Sequence, residues 1–274
     1  MTPAYSFGET LLDIEDVSLE YHGRQVLKNV NAHIKDIVVP GKSQGQVVGF
    51  LGPSGIGKTQ LFRIIAGLNK PTSGEVRLHG SDHPVRPGEV GVVAQNYPLF
   101  EHKTVYSNLM LAARKGGLKG PADEETVSQY AKEFDLEDRL FAYPAQLSGG
   151  QRQRCAIIQQ LLTGGHFLLM DEPFSGLDLL MLEKTCKLVT RIASLHELNT
   201  IIVVTHDVTA AAVVSDHIWL MGRDTGPDGK KLPGARIVKE YNLIERGLAW
   251  QPDLATNPKL LDFTREVKNE FRNL

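Results

Sequence analysis

Between positions 52 and 59 the chain reads Gly52, Pro53, Ser54, Gly55, Ile56, Gly57, Lys58, Thr59, the spacing GxxxxGK[ST]. Three glycines let the backbone curl around an anion with its N–H groups aimed inward, and a lysine follows directly. Such a loop suits the phosphates of a nucleotide, with Lys58 reaching the β and γ phosphates and the Thr59 hydroxyl ligating Mg²⁺. A glycine-rich turn with a chance Lys-Thr is the bland alternative, and the flanking residues argue against it. Gln46 to Leu51 is a short apolar run suited to a buried strand. Lys58 to Leu68 carries apolar residues at 61, 62, 64, 65 and 68, one face of a helix. The start of that helix adds the positive end of its dipole to the loop.

About ninety residues further on comes Leu147, Ser148, Gly149, Gly150, Gln151, then Arg152, Gln153 and Arg154. A serine before a helical run is ordinary N-cap punctuation. Two glycines behind it make a second anion site at a helix start, and one chain with one nucleotide does not need two. The first segment therefore implies a nucleotide, and the second is an anion site without a ligand of its own in the same chain.

Composition bounds what else is possible. At 274 residues the chain is one large domain or two modest ones. Hydrophobic residues at 42% and charged residues at 23% describe an ordinary globular protein. A net charge of −2 leaves no electrostatic footprint for nucleic acid or an anionic membrane, so no nucleic-acid partner is expected. No apolar stretch approaches the length of a membrane span, and the first residues lack the basic and apolar regions of a signal peptide. Cys155 and Cys186 are isolated in segments that read as helices, which suits packed, reduced thiols and the cytoplasm. A membrane partner then has to come from other chains.

The elements that must position the two segments are legible from periodicity. Residues 10 to 50 read as antiparallel strands, with a polar turn at 36–45. Gly74 to His79 reads as a half-buried strand, and Val90 to Gln95 as a buried one ending in a glutamine. After a glycine-rich break at Lys115 to Pro121, the spacing of Val127, Tyr130, Phe134 and Leu140 predicts a surface helix. The stretch from Asn96 to Ala145 thus reads as a helical subdomain inserted into an α/β core. His166 to Asp171 and Asn199 to Thr205 are continuous apolar strands of a parallel sheet, with a helix over Leu179 to Leu195 between them. A turn-rich hairpin follows Gly222, and Leu260, Phe263, Val267, Phe271 and Leu274 form one stripe of a last helix.

In motif order and separation, from about Leu11 to Arg223, the chain resembles a nucleotide-binding subunit of an ATP-binding cassette (ABC) transporter. The resemblance implies a P-loop NTPase core, a mainly parallel sheet with helices on both faces. An N-terminal antiparallel β subdomain and the inserted helical subdomain would complete it. It implies an ATPase domain over 1–225, with its helical subdomain at about 96–155, and a C-terminal extension of hairpin plus helices over 226–274. Gly52 to Thr59, with Gln60, would hold ATP. Ser148, Gly149, Gly150 and Gln151 match the family signature, which completes the nucleotide site of a partner chain, and Asp178 matches a residue that works across the same interface. Asp171 matches the carboxylate that holds Mg²⁺ through water, so Thr59, Gln95 and Asp171 make the implied metal set. Glu172 matches the general base for the attacking water, His206 the residue that contacts the γ-phosphate, and Gln95 the glutamine that couples the site to the helical subdomain. With Lys58, these are the implied catalytic residues. Tyr21 matches the aromatic that stacks on adenine. His102, His166 and His196 have no such context. Two departures stand out: the loop at 36–45 is longer than the family's usual link, and Gln60 stands where a threonine or another small residue is common.

The implied partners are a second copy of the chain or a near relative, separate transmembrane permease subunits, and a solute-binding protein. The implied location is the cytoplasmic face of the membrane. Tyr97, Leu99 and Phe100, in a stretch resembling that of importer subunits, would line a groove for the permease, with subdomain core as their plainer role. A separate cassette resembles importers of the nitrate, sulfonate and taurine group or the polar amino acid group. An exporter subunit is one alternative. A soluble DNA-maintenance ATPase is another, though those carry a long coiled coil between the two segments and none is present here.

Overall fold

The structure is a computed structural model that describes residues 5–41, 44–117, 121–251, 257–272 and 274. Nine strands form one sheet: β1 (Ser6–Tyr21), β2 (Arg24–Val38), β3 (Gln46–Leu51), β4 (Ser73–Leu78), β5 (Gly91–Val93), β6 (Phe167–Asp171), β7 (Thr200–Thr205), β8 (His217–Thr225) and β9 (Lys231–Asn242). Their order is β4-β1-β2-β9-β8-β3-β7-β6-β5. The half from β8 through β3, β7 and β6 to β5 is parallel, and β1 pairs antiparallel with both β2 and β4. A single parallel pairing, Leu27 with Ala235, joins β2 to β9.

Alternation along the central strands assigns the two faces. Val47, Leu168, Met170, Ile201 and Val203 point into one apolar core, while Val48, Phe50, Leu169, Ile202 and Val204 point into the other. The phosphate-loop helix α1 (Lys58–Ile65) fills the second core with Leu61, Phe62, Ile64 and Ile65. The first core takes α2 (Val105–Lys115), α4 (Gly149–Leu161) and α5 (Leu179–Ser194), and α3 (Pro121–Glu133) joins it through Val127. A third core under α6 (Val208–Val214) receives Leu260, Phe263 and Val267, the predicted stripe of α7 (Pro258–Arg272).

Four expectations are corrected. β3 is not antiparallel to β1 and β2: it lies parallel between β7 and β8, and all six of its residues are buried. A strand with no exposed face needs cover on both sides, which the core supplies and an antiparallel ribbon does not. β2 runs to Val38, into the turn expected at 36–45, because Ile37 and Val38 find ladder partners in Phe7 and Ser6. Lys42 and Ser43 of that turn, and Leu118 to Gly120 of the glycine-rich break, lie outside the described residues. β5 ends at Val93, and a turn closed by the Tyr97 amide on the Ala94 carbonyl leaves Gln95 beyond it. α3 stops at Glu133, where Asp135 takes a positive φ of 52° and the Leu136 amide bonds back to the Ala131 carbonyl. Two short 3₁₀ turns, Glu137–Arg139 and Pro144–Gln146, follow it before α4.

The β8–β9 hairpin straddles position 225, and β9 lies between β2 and β8. Residues 231–242 are therefore part of the central sheet.

Candidate nucleotide site

The phosphate loop leaves the end of β3 and enters α1 at Lys58. Gly57 takes φ 118°, a conformation that side chains other than glycine's scarcely tolerate. It is also the N-cap of α1, and so offers no side-chain acceptor to the first amides of the helix. Thr104, Ser148, Asp178 and Asp207 each accept such amides at the starts of α2, α4, α5 and α6. Among these five starts, α1 alone keeps its amides free of a side-chain cap, and no acidic residue sits in its first turn. That is the geometry an anion completes.

Lys58 is buried, and its ammonium donates to the carbonyls of Gly52 (2.6 Å) and Pro53 (3.1 Å). Burial lowers its pKa, while Glu172 and Asp171 pull it back up. Asp171, the last residue of β6, is pushed above the ordinary carboxylate range by burial and by the neighbouring Glu172, with Lys58 opposing. The parallel strands thus bring one cation and two carboxylates to the same sheet edge. Thr59 and Asp171 offer hydroxyl and carboxylate oxygens, the hard donors that suit Mg²⁺. Among the described residues no cluster of three or more His, Cys, Asp or Glu could hold a metal by itself. Such a donor set fits an ion whose remaining ligands are water and phosphate oxygen.

Glu172 follows Asp171 with φ 49°, a left-handed backbone unusual for glutamate. Its amide bonds the Val204 carbonyl at 2.8 Å, which ties the turn to β7. The carboxylate accepts from the Thr205 hydroxyl at 3.0 Å and lies 2.9 Å from His206 Nδ1. Thr205 in turn accepts from the Asp207 amide at 3.1 Å. The arrangement can hold a carboxylate in one orientation at the mouth of the phosphate loop.

Gln95 is exposed beyond β5, and its side chain has no hydrogen bond among the described residues. Ser148 and Gln151 form a reciprocal capping box: the Ser148 hydroxyl accepts from the Gln151 amide (3.3 Å), and the Gln151 side chain accepts from the Ser148 amide (2.9 Å). Asp178 caps α5 by accepting from the Met181 amide at 2.9 Å. The two helix starts touch, since a side chain on Gly150 would meet the Met181 methyl group at 2.9 Å. Arg152 donates to the Tyr97 carbonyl (3.1 Å) and pairs with Glu101. Among the described residues, no hydrogen bond or ion pair joins 148–151 to 52–59. The N-cap reading of Ser148 is therefore real in the folded chain.

Three participants escaped sequence reasoning. Thr205 ends an apolar run and reads as one more β-branched strand residue. Gln153 donates to the Pro173 carbonyl (3.2 Å), which links α4 to the turn after Glu172. Asn69 donates to the Tyr21 hydroxyl (2.8 Å), which in turn donates to Gln60, a residue already expected beside the ATP.

A parallel α/β sheet with a glycine-rich loop and a buried lysine at its carboxyl edge defines a P-loop nucleoside triphosphatase. The profile of the ABC transporter family matches residues 41–175. The spermidine/putrescine import ATP-binding protein PotA of Spiroplasma citri is 38% identical over 261 residues, which cover 90% of this chain and 71% of that protein. The sulfate/thiosulfate import ATP-binding protein CysA of Pseudomonas aeruginosa is 40% identical over 222 residues, 77% of this chain and 64% of that protein. The chain thus spans about two thirds of the length of the curated relatives it matches. A solved structure described as cbiO1 from Clostridium perfringens, part of the ABC transporter complex cbiONQ, superposes with a TM-score of 0.71. It is 25% identical, and the match covers 95% of this chain and all of that one. The chain belongs to the ABC transporter family and carries its ATPase fold.

Proposed function

We propose that the chain is the ATP-hydrolysing subunit of an ABC importer. The observation that carries the reading is the uncapped start of α1, set beside buried Lys58 and within the field of Asp171 and Glu172. The relatives named above are both import ATP-binding proteins, which favours import over export and over a soluble ATPase. Their printed substrates are polyamines in one case and sulfate or thiosulfate in the other, at similar identity. Cassettes this alike serve a cation and an anion, so the solute is chosen by other chains.

In this reading Gly52 to Thr59 bind the triphosphate, Gln60 serves ATP binding on the side of Tyr21, Lys58 neutralises β and γ oxygens, and Thr59, Gln95 and Asp171 hold Mg²⁺. The ion, when bound, spreads the charge that builds on the phosphates in transfer. Glu172, oriented by Thr205 and His206, takes a proton from the attacking water. His206 also contacts the γ-phosphate, and Tyr21 stacks on the base. Ser148 to Gln151 and Asp178 act on the nucleotide of a second copy facing head to tail, a reading supported by their engagement in helix caps rather than with their own chain's loop. Permease subunits dock on the helical subdomain, where Phe100 is 51% exposed and Phe141 is 82% exposed. Among the described residues no helix is long and apolar enough to cross a membrane. Attachment to the inner face is peripheral in this reading, through those subunits. Residues 1–225, with the subdomain at about 96–155, carry the ATPase motifs, and β9 completes the sheet that holds them.

Glu172→Gln tests the core of this assignment. It keeps the shape and the Thr205 contact but not the basicity, so Mg-ATP binding persists and steady-state hydrolysis is lost. Parental turnover in this variant overturns the assignment.

A further inference from the structure

Tyr21 closes the β1–β2 ribbon opposite Arg24 and is 43% exposed. An exposed tyrosine at a ribbon tip ordinarily swings between rotamers. This one does not stand free. Its hydroxyl donates to Gln60 Oε1 at 3.2 Å and accepts from Asn69 Nδ2 at 2.8 Å, and the two amides also meet at 3.4 Å. Gln60 lies on α1 two residues after Lys58, so the ring is tethered to the phosphate-loop helix itself. Asn69 is fixed in its turn by its amide on the Arg63 carbonyl at the end of α1 (3.1 Å). Nearby, Thr72 accepts from the Glu20 amide (3.0 Å), which binds the loop after α1 to the strand that carries Tyr21.

A phenol has one proton to donate, and here it is given to Gln60 while its oxygen accepts from Asn69. The hydroxyl is thereby engaged on both counts, and what Tyr21 presents outward is the face of its ring. An aromatic face held still is a platform for a flat base, and stacking of that kind tolerates any base because each has a π-face. Holding the ring in advance removes the cost of ordering it when the nucleotide arrives.

We infer that Gln60 and Asn69 are positioning residues for base binding: they lock the Tyr21 ring over the mouth of the phosphate loop. The inference rests on the reading of Tyr21 as the base platform and goes further, since it gives a role to the residue that departs from the family pattern. It also accounts for the size of that residue, because a serine or threonine at 60 is too short to reach the phenol.

The test compares binding of Mg-ATP and of Mg-tripolyphosphate, which has no base, to the full chain by calorimetry. Tyr21→Ala lowers the ratio of ATP to tripolyphosphate affinity. Gln60→Ala, Asn69→Ala and Tyr21→Phe each lower it by about threefold to tenfold, the worth of one hydrogen bond. Gln60→Ala adds nothing in the Tyr21→Phe background, and Gln60→Glu, which keeps an acceptor oxygen, restores the ratio. Tripolyphosphate affinity and Tm stay at parental values in the four uncharged variants, which separates positioning from a structural role. If Tyr21→Ala lowers the ratio while Gln60→Ala, Asn69→Ala and Tyr21→Phe leave it unchanged, the positioning inference falls and the platform reading stands. If Tyr21→Ala itself leaves the ratio unchanged, both fall.

Discussion

Thr205→Val removes one oxygen from the site and almost nothing else. Thr205 is fully buried, and valine keeps its β-branched shape in β7, so no cavity opens. The hydroxyl makes two bonds, one to the Glu172 carboxylate at 3.0 Å and one from the Asp207 amide at 3.1 Å. A hydrogen bond to a charged group is worth roughly 1.5–3 kcal/mol. If Glu172 needs that bond to aim at the attacking water, the same energy slows hydrolysis by about tenfold to a hundredfold. The orphaned Asp207 amide costs stability too. Taken together, a loss of about 1–3 kcal/mol lowers Tm by roughly 2–5 °C for a chain of this size. Lys58 and the phosphate loop are untouched, so Mg-ATP affinity holds within about twofold. Thr205→Ser restores the hydroxyl and with it most of the turnover. Steady-state phosphate release, calorimetric ATP binding and a thermal melt read the three effects separately. Parental kcat in Thr205→Val refutes the reasoning, as does an equal loss in Thr205→Ser.

Three further perturbations follow from the same geometry. Ser148→Arg removes the cap of α4, costing about 1 kcal/mol, and sets a bulky cation on the surface proposed to meet a partner's nucleotide. ATP binding to the monomer persists while ATP-induced dimerisation and hydrolysis stop, and a closed dimer by light scattering counts against it. Phe100→Asp, at an exposed ring on the helical subdomain, abolishes co-purification with the permease and spares nucleotide binding; retained co-purification argues against that groove. Burial pushes the Asp216 carboxyl from 3.8 up to about 7, against the Val47 amide that lowers it. Between those values the folded chain keeps a proton that the unfolded chain has released, so stability falls as pH rises across the window and then levels off. The change is on the order of 4 kcal/mol, and Asp216→Asn removes it from the pH profile of Tm. A profile parallel to the parent's contradicts the assignment.

Much of the molecule was legible from residues alone, for reasons that differ by element. The phosphate loop is local: glycines that permit the turn, a strand before it and a helix after it lie within twenty or so residues of sequence. β6 and β7 announce themselves as continuous apolar runs, because strands covered on both faces have no polar side to show. α7 is legible for the opposite reason, since one apolar stripe faces a core and the rest faces water. β3 shows where that reading ends. Its run of apolar residues marks a strand, but whether it joins β1 and β2 or β7 and β8 depends on partners more than a hundred residues away.

The sequence by itself determined that the chain binds a nucleotide and which family motifs it carries, because each motif is a short run whose backbone demands are met by its own residues. Only the tertiary structure decided which motifs share a site. It brought Lys58, Asp171, Glu172 and His206 to one sheet edge. It also tied Thr205 to Glu172, and Gln60 and Asn69 to Tyr21, through hydrogen bonds that span 33, 39 and 48 positions in sequence. No local pattern encodes such contacts, since they exist only once the sheet has set the order of its strands.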